Sequence, residues 1–157
     1  MLADCVVALD ALLSDARRAV SERVTVDGRV VSRRFDSEQR ATHGLAWLAT
    51  YVEAIRQLAQ YAQRLADTGA FGEVEELLVR IGAGEYLAQV LGGIAMSQSE
   101  IVRLTDLGLN TAAVAARLNP AVNGKSWAAR SGEIMGRFCS MAACWSKCLR
   151  PRRNCPR

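Results

Sequence analysis

Between Asp36 and Gly69, apolar positions recur in steps of three and four: Leu45, Leu48, Val52, Ile55, Leu58, Ala62 and Leu65. That spacing predicts one long amphipathic helix. Trp47, Tyr51, Ala54 and Tyr61 widen the stripe, while Arg56, Gln60, Gln63, Arg64 and Asp67 lie largely outside it. A stripe this broad needs neighbours on more than one side, and the rest of the chain supplies them. Asp36 or Ser37 is placed to cap this helix, and Gln39 three residues after Asp36 gives a capping-box pattern. Gly44 inside it costs about 1 kcal/mol relative to Ala, so it implies either close packing there or a start nearer His43. Gly69 suits a helix-ending position.

The same periodicity marks the neighbours. Leu2 to Val24 reads as a first helix, with Leu9, Leu12, Leu13, Ala16, Val20 and Val24 along one side. Thr25 to Arg34 breaks the period: β-branched valines surround the turn signal Asp27-Gly28. A short hairpin is one reading. A loop crossing the end of a bundle is favoured, because a lone two-stranded ribbon is marginal in water. After Gly69 the chain has room only for a tight reversal, so the next helix, about Glu73 to Leu91, returns antiparallel. Glu73, Glu75 and Glu76 fill its first turn, where negative charge is favoured. Leu77, Leu78, Ile81, Tyr86, Leu87, Val90 and Leu91 read as its buried face. Gly92-Gly93 stops it. Ser97, with Glu100 three residues on, reads as the cap of a further helix carrying Ile101, Leu104 and Leu107 and ending at Gly108. Asn110 caps a last short helix, Thr111 to Leu118, closed by Pro120.

At 157 residues the chain is long enough for one domain with a real core. Charge divides it. Residues 1–120 hold twelve arginines and no lysine against fifteen acids, whereas 121–157 hold six arginines and two lysines against Glu133 alone. The net charge of +4 therefore belongs to the C-terminal stretch, and the mildly acidic body is not a nucleic-acid surface by charge. Cysteine divides in the same way: Cys5 stands apart, and Cys139, Cys144, Cys148 and Cys155 crowd into the end. The body has no disulfide framework and suits a reducing compartment. Asp4 and Asp10 break the early apolar run, so no secretory signal is expected, and no stretch is long enough to span a bilayer.

No constellation points to catalysis. His43 is the only histidine and has no proton partner nearby in sequence, so it reads as a helix-face or core residue. Glu38, Glu53 and Glu85 are single carboxylates without the Glu-x-x-His spacing of a di-metal site. Gly82-Ala83-Gly84 begins like a dinucleotide fingerprint, but Leu87 stands where the third glycine belongs and no strand precedes it. Ser97 and Ser99 lack the flanks of a nucleophile elbow. The C-x4-C-x3-C-x6-C run offers four thiolates for Zn²⁺, yet it lacks the C-x2-C pairs usual in such sites. Its arginines offer only salt-sensitive, non-specific attraction to polyanions.

The runs HGLAWLATYVEAIRQL and GEVEELLVRIGAGEYLAQVLGGIAMSQSEIVRLTDLGL carry more than periodicity. Together, the blocks HGLAWLATY, GEYLAQ and MSQSEIVR resemble the N-terminal extension of methylsuccinyl-CoA dehydrogenases, members of the acyl-CoA dehydrogenase superfamily. The resemblance covers about residues 5 to 122. It implies a parent flavoenzyme in which FAD accepts the β-hydride of an acyl-CoA while a glutamate removes the α-proton, giving a 2,3-unsaturated thioester. The catalytic glutamate and the FAD and CoA sites of such an enzyme would lie beyond residue 157. After Val122 the family continues with helical, Ala- and Arg-rich sequence. Here NGKSWAARSGEIMGRFCSMAACWSKCLRPRRNCPR takes over, and the shift in Lys, Trp and Cys usage reads as out-of-frame translation of a GC-rich gene.

The expected fold is therefore all-α, an irregular up-and-down bundle over 1–120 followed by a basic, Cys-rich tail over 121–157 that does not fold as a domain. The expected role is that of an accessory helical domain, a fragment of an FAD-dependent dehydrogenase. No catalytic, cofactor-binding or metal residue is assigned in this chain, and FAD is assigned to the parent alone. Its expected partner is the flavin-binding body or a like subunit, with self-association allowed, no nucleic acid and no membrane, in the cytoplasm. The alternative is a free-standing helical interaction module whose tail binds metal or polyanion.

Overall fold

The computed structural model describes residues 2–122, with side chains described through Leu118. Five helices and two short hairpins make up these residues: α1 (Leu2–Val24), β1 (Thr25–Val26), β2 (Arg29–Val30), α2 (Ser32–Ser37), α3 (Gln39–Asp67), α4 (Glu73–Gly92), β3 (Ile94–Ala95), β4 (Ile101–Val102) and α5 (Thr111–Val122). The class is all-α, as the periodicity requires. The expected tail after Val122, with the cysteines Cys139, Cys144, Cys148 and Cys155, lies outside the described residues.

α3 is the central element. α1 runs antiparallel to it: Asp10 pairs with Arg56 and, at the other end, Arg23 pairs with Glu38 at 3.4 Å. α4 returns antiparallel on another side, where the Tyr51 hydroxyl donates to Gln89 Oε1 at 2.6 Å and Tyr51 meets Tyr86 edge-on. Leu9, Leu12, Ala16 and Val20 of α1 close on Leu48, Val52 and Ile55 of α3, and all are essentially solvent-free. Burying side chains of this size contributes about 1.5–3 kcal/mol each. The reversal between α3 and α4 is a Schellman turn. Gly69 has φ +70°, its N–H donates to Ala66, and the next N–H, of Ala70, donates to Leu65.

Five expectations are corrected. The stretch after α1 is a hairpin and a helix, not a loop. Asp27 and Gly28 both take positive φ, 50° and 75°, so the two-residue turn matches the twist of its flanking strands, Val26 opposite Arg29. The ribbon survives because Val24 and Val31 continue its bonding and α2 follows at once. Asp36 and Ser37 therefore lie inside α2, and α3 begins after Glu38 with no side-chain cap; the Glu38 carbonyl instead receives the Thr42 N–H at 2.9 Å.

The expected helix from Ser97 is likewise a hairpin. Ile94 pairs with Val102 and Ala95 with Ile101, and the Glu100 carbonyl accepts from Met96 and Ser97 to close the loop. The β-branched Ile94, Ile101 and Val102 favour this pleat over one short helix. Leu104 and Leu107 are buried as expected, but in successive turns ending at Gly108.

α4 is rotated from its expected setting: Val79, Ala83, Leu87 and Val90 face the core, while Leu78 and Ile81 face outward. Finally, α5 continues through Pro120 to Val122. Pro120 has no N–H to give to the Ala116 carbonyl, so α5 passes through it with that bond missing in its last turn. The Asn110 cap forms as expected, with Oδ1 receiving the Ala113 N–H at 3.0 Å.

Arg117 ties α5 to α1 through Asp15 at 2.8 Å. That hydrogen bond, aided by the charges of Arg117 and Arg18, holds the Asp15 carboxyl below its ordinary range. A carboxyl depressed in the folded state stabilises above its unfolded value, ~3.9, and loses that contribution as pH falls through the lower folded value. Protection of the α5 amides, taken against their intrinsic exchange at each pH, is expected to fall below about pH 4. In Asp15→Asn that protection should already be lower at neutral pH and should not change over that window.

Candidate interaction surface

Among the described residues, the groups singled out as chemical candidates do not converge. His43 is exposed and accepts a hydrogen bond at 3.2 Å from the indole N–H of Trp47, one turn along α3. Glu38 is held by Arg23. Glu53 is held by Gln57 and Arg56, and the Gln57 hydrogen bond is the chief cause that lowers its carboxyl. Glu85 is exposed on α4. Ser97 and Ser99 are exposed in the β3–β4 loop, where the Ser97 N–H serves the turn. Cys5 is buried, and burial first, the Asp4 charge second, push its thiol up, which suppresses the nucleophilic thiolate. No group of three or more His, Cys, Asp or Glu among the described residues is placed to hold a metal ion.

The glycine pair of α4 does not form the phosphate-binding turn that its letters suggest. Gly82-Ala83-Gly84 lies in the middle of α4, so its amides are consumed by helical bonds, and a side chain at Gly82 would meet Leu58 of α3 at 3.2 Å. It is a packing glycine, not a phosphate cradle.

The feature that stands apart is the outer face of α4. Val79, Ala83, Leu87 and Val90 point to the core at helical spacing. Val74, Leu78 and Ile81 repeat the same four-and-three spacing on the opposite side, and remain 63%, 64% and 39% exposed. α4 is therefore apolar on two faces and covered on one. A helix apolar all round normally belongs to an interior. The nearby end of α3 is also thinly covered: Leu58, Ala62 and Leu65 are half-buried and Tyr61 is 46% exposed, so the expected aromatic stripe splits into a buried Tyr51 and an outward Tyr61. Leu78 and Ile81 do not belong to the core face expected from the sequence, because this helix carries two apolar stripes. The signal was the clash in phase between Leu78 and Ile81 on one hand and Leu87 and Val90 on the other. No described helix is long and apolar enough to cross a membrane.

No protein-family model matches the chain. It is 50% identical over 109 residues, 69% of its own length, to a (2S)-methylsuccinyl-CoA dehydrogenase of Cereibacter sphaeroides. The match spans only 20% of that dehydrogenase's length. Half the positions agreeing over a run that long fix common ancestry, and the bundle described above accounts for most of the chain. Over those 109 residues the chain is a homologue of part of a methylsuccinyl-CoA dehydrogenase.

Proposed function

We propose that the chain serves as the accessory N-terminal helical domain of an FAD-dependent acyl-CoA dehydrogenase. The parent reaction is oxidation of a branched acyl-CoA thioester, of the methylsuccinyl-CoA type, to its 2,3-unsaturated product. The observation that carries this reading is 50% identity over 109 residues to part of such a dehydrogenase. A bundle with one bare apolar face agrees with it, since an accessory domain meets the rest of its enzyme through such a face. FAD, the catalytic base and the CoA site belong to the remainder of the enzyme, and the present residues contribute packing and position. Its setting would be that of a soluble cytoplasmic enzyme.

A segment exchange tests this. The intact dehydrogenase of Cereibacter sphaeroides is made with its matching segment replaced by this chain's helical residues. The exchanged enzyme is expected to purify with bound flavin and to oxidise (2S)-methylsuccinyl-CoA within about tenfold of the parent rate, ~1.4 kcal/mol in barrier. A folded, flavin-loaded product without that activity would overturn the assignment to this reaction. A product that fails to fold would overturn the assignment to this enzyme class.

A further inference from the structure

We infer that the outer face of α4 is the seat for an α-helix of the dehydrogenase's flavin-binding body. The inference rests on the function just proposed and adds which surface docks, and against what.

The outer face has two parts. Its N-terminal half is a ridge of Val74, Leu78 and Ile81, all exposed. Its C-terminal half is flat. Gly84, Ala88 and Gly92 follow at intervals of four, so they line the same side of the helix. The glycines of this helix differ in what they face. A side chain at Gly82 would meet Leu58, so the α3–α4 contact explains that residue. A side chain at Gly84 or Gly92 would meet nothing within 4 Å. Glycine in a helix interior is unfavourable, and nothing in the described fold compensates for it at Gly84. A row of small residues four apart forms a groove into which the ridge of a second helix packs closely. A ridge of exposed aliphatics leading into an open small-residue groove is the imprint of such a neighbour. Glu85, four residues after Ile81, continues the line of the ridge and is exposed, so it calls for a lysine or arginine of the partner opposite it, within the contact.

The occupant is argued from length. The homologous dehydrogenase has most of its chain outside the matched fifth, so a large folded neighbour is available in the same polypeptide. No competing seat on the described surface combines an exposed aliphatic ridge with open glycines. Val7, 69% exposed, stands singly on α1, and Val26, Val30 and Phe35 sit around the arginines of the first hairpin and α2.

The test uses the full chain and the segment-exchanged enzyme together. In the full chain alone, Leu78→Lys and Gly84→Leu are expected to leave the melting temperature unchanged or raised. In the exchanged enzyme the same substitutions should speed proteolysis within the helical segment at least tenfold, while Val7→Lys does not. A photo-reactive residue at position 78 should cross-link to the dehydrogenase body. Proteolysis unchanged by both substitutions would overturn the inference, as would a fall in the free chain's melting temperature with Leu78→Lys. Cross-links landing in α4 of another copy would overturn the choice of occupant. In each of these cases the unsubstituted exchanged enzyme remains active, so the functional reading survives. If that enzyme carries no flavin or activity, the functional reading itself has failed.

Discussion

Gly44→Val is expected to be among the most destabilising single substitutions in the chain. A Cβ at position 44 would lie 2.3 Å from the Val102 Cγ2 atom and 3.0 Å from its Cβ. Neither partner can withdraw easily. Gly44 sits in α3 between the buried Ala41 and Leu48, and Val102 is 2% exposed in β4, registered opposite Ile94. Overpacking of this kind costs about 1–3 kcal/mol, and more where backbone must move. Gly44→Ala should be milder, because roughly 1 kcal/mol of helix propensity offsets part of the clash. The cycle of Gly44→Ala with Val102→Ala isolates the contact. The double variant should be more stable than the sum of the single effects predicts, because the second change removes the Val102 Cγ2 atom, which gives the closest of the clashes. Strict additivity in urea denaturation would show that α3 and the second hairpin do not touch at this point.

The second large effect contrasts two leucines that both look like core residues in the sequence. Leu48→Ala should cost about 3 kcal/mol, within the 2–5 kcal/mol range for emptying a closed core site. Leu48 has no exposed surface and lies on the buried face of α3. Leu78→Ala should stay within about 0.5 kcal/mol, because Leu78 is 64% exposed and leaves no cavity. Thermal melts of the two variants check the orientation of α4 directly. Equal losses would mean that α4 is turned towards the setting that its sequence first suggests.

The three long helices were legible because each combines period with punctuation. Leu9, Leu12, Ala16 and Val20 predict α1 and are buried; Leu48, Val52 and Ile55 do the same for α3. Gly69 and Asn110 mark real ends. Legibility failed where local signals were weak or doubled. The Asp36–Gln39 and Ser97–Glu100 pairs match capping boxes at the level of letters, but neither caps a helix. At the first, α2 pre-empts the site; at the second, the pairing of Ile94 with Val102 wins. α4 carries apolar residues on two faces, so a search for one stripe could not choose between them. The candidate surface was hidden for the same reason: a docking face and a core face use the same residue types, and only the fold says which is covered. Family resemblance, by contrast, was readable from HGLAWLATY, GEYLAQ and MSQSEIVR together, since identity needs no assumption about orientation.

The link from Arg117 to Asp15 bridges 102 residues, whereas the α3–α4 reversal closes over a handful around Gly69. Contacts between residues close in the chain form early, and those far apart must wait for the search that brings them together. The helical hairpin is thus the natural first piece of this molecule, α1 its second, and α5 the latch. As the last element to arrive, α5 is also the first to leave, and native-state exchange should show it opening without the rest. The bare face belongs to the early hairpin, so the partner helix inferred above would meet its seat before the bundle is closed.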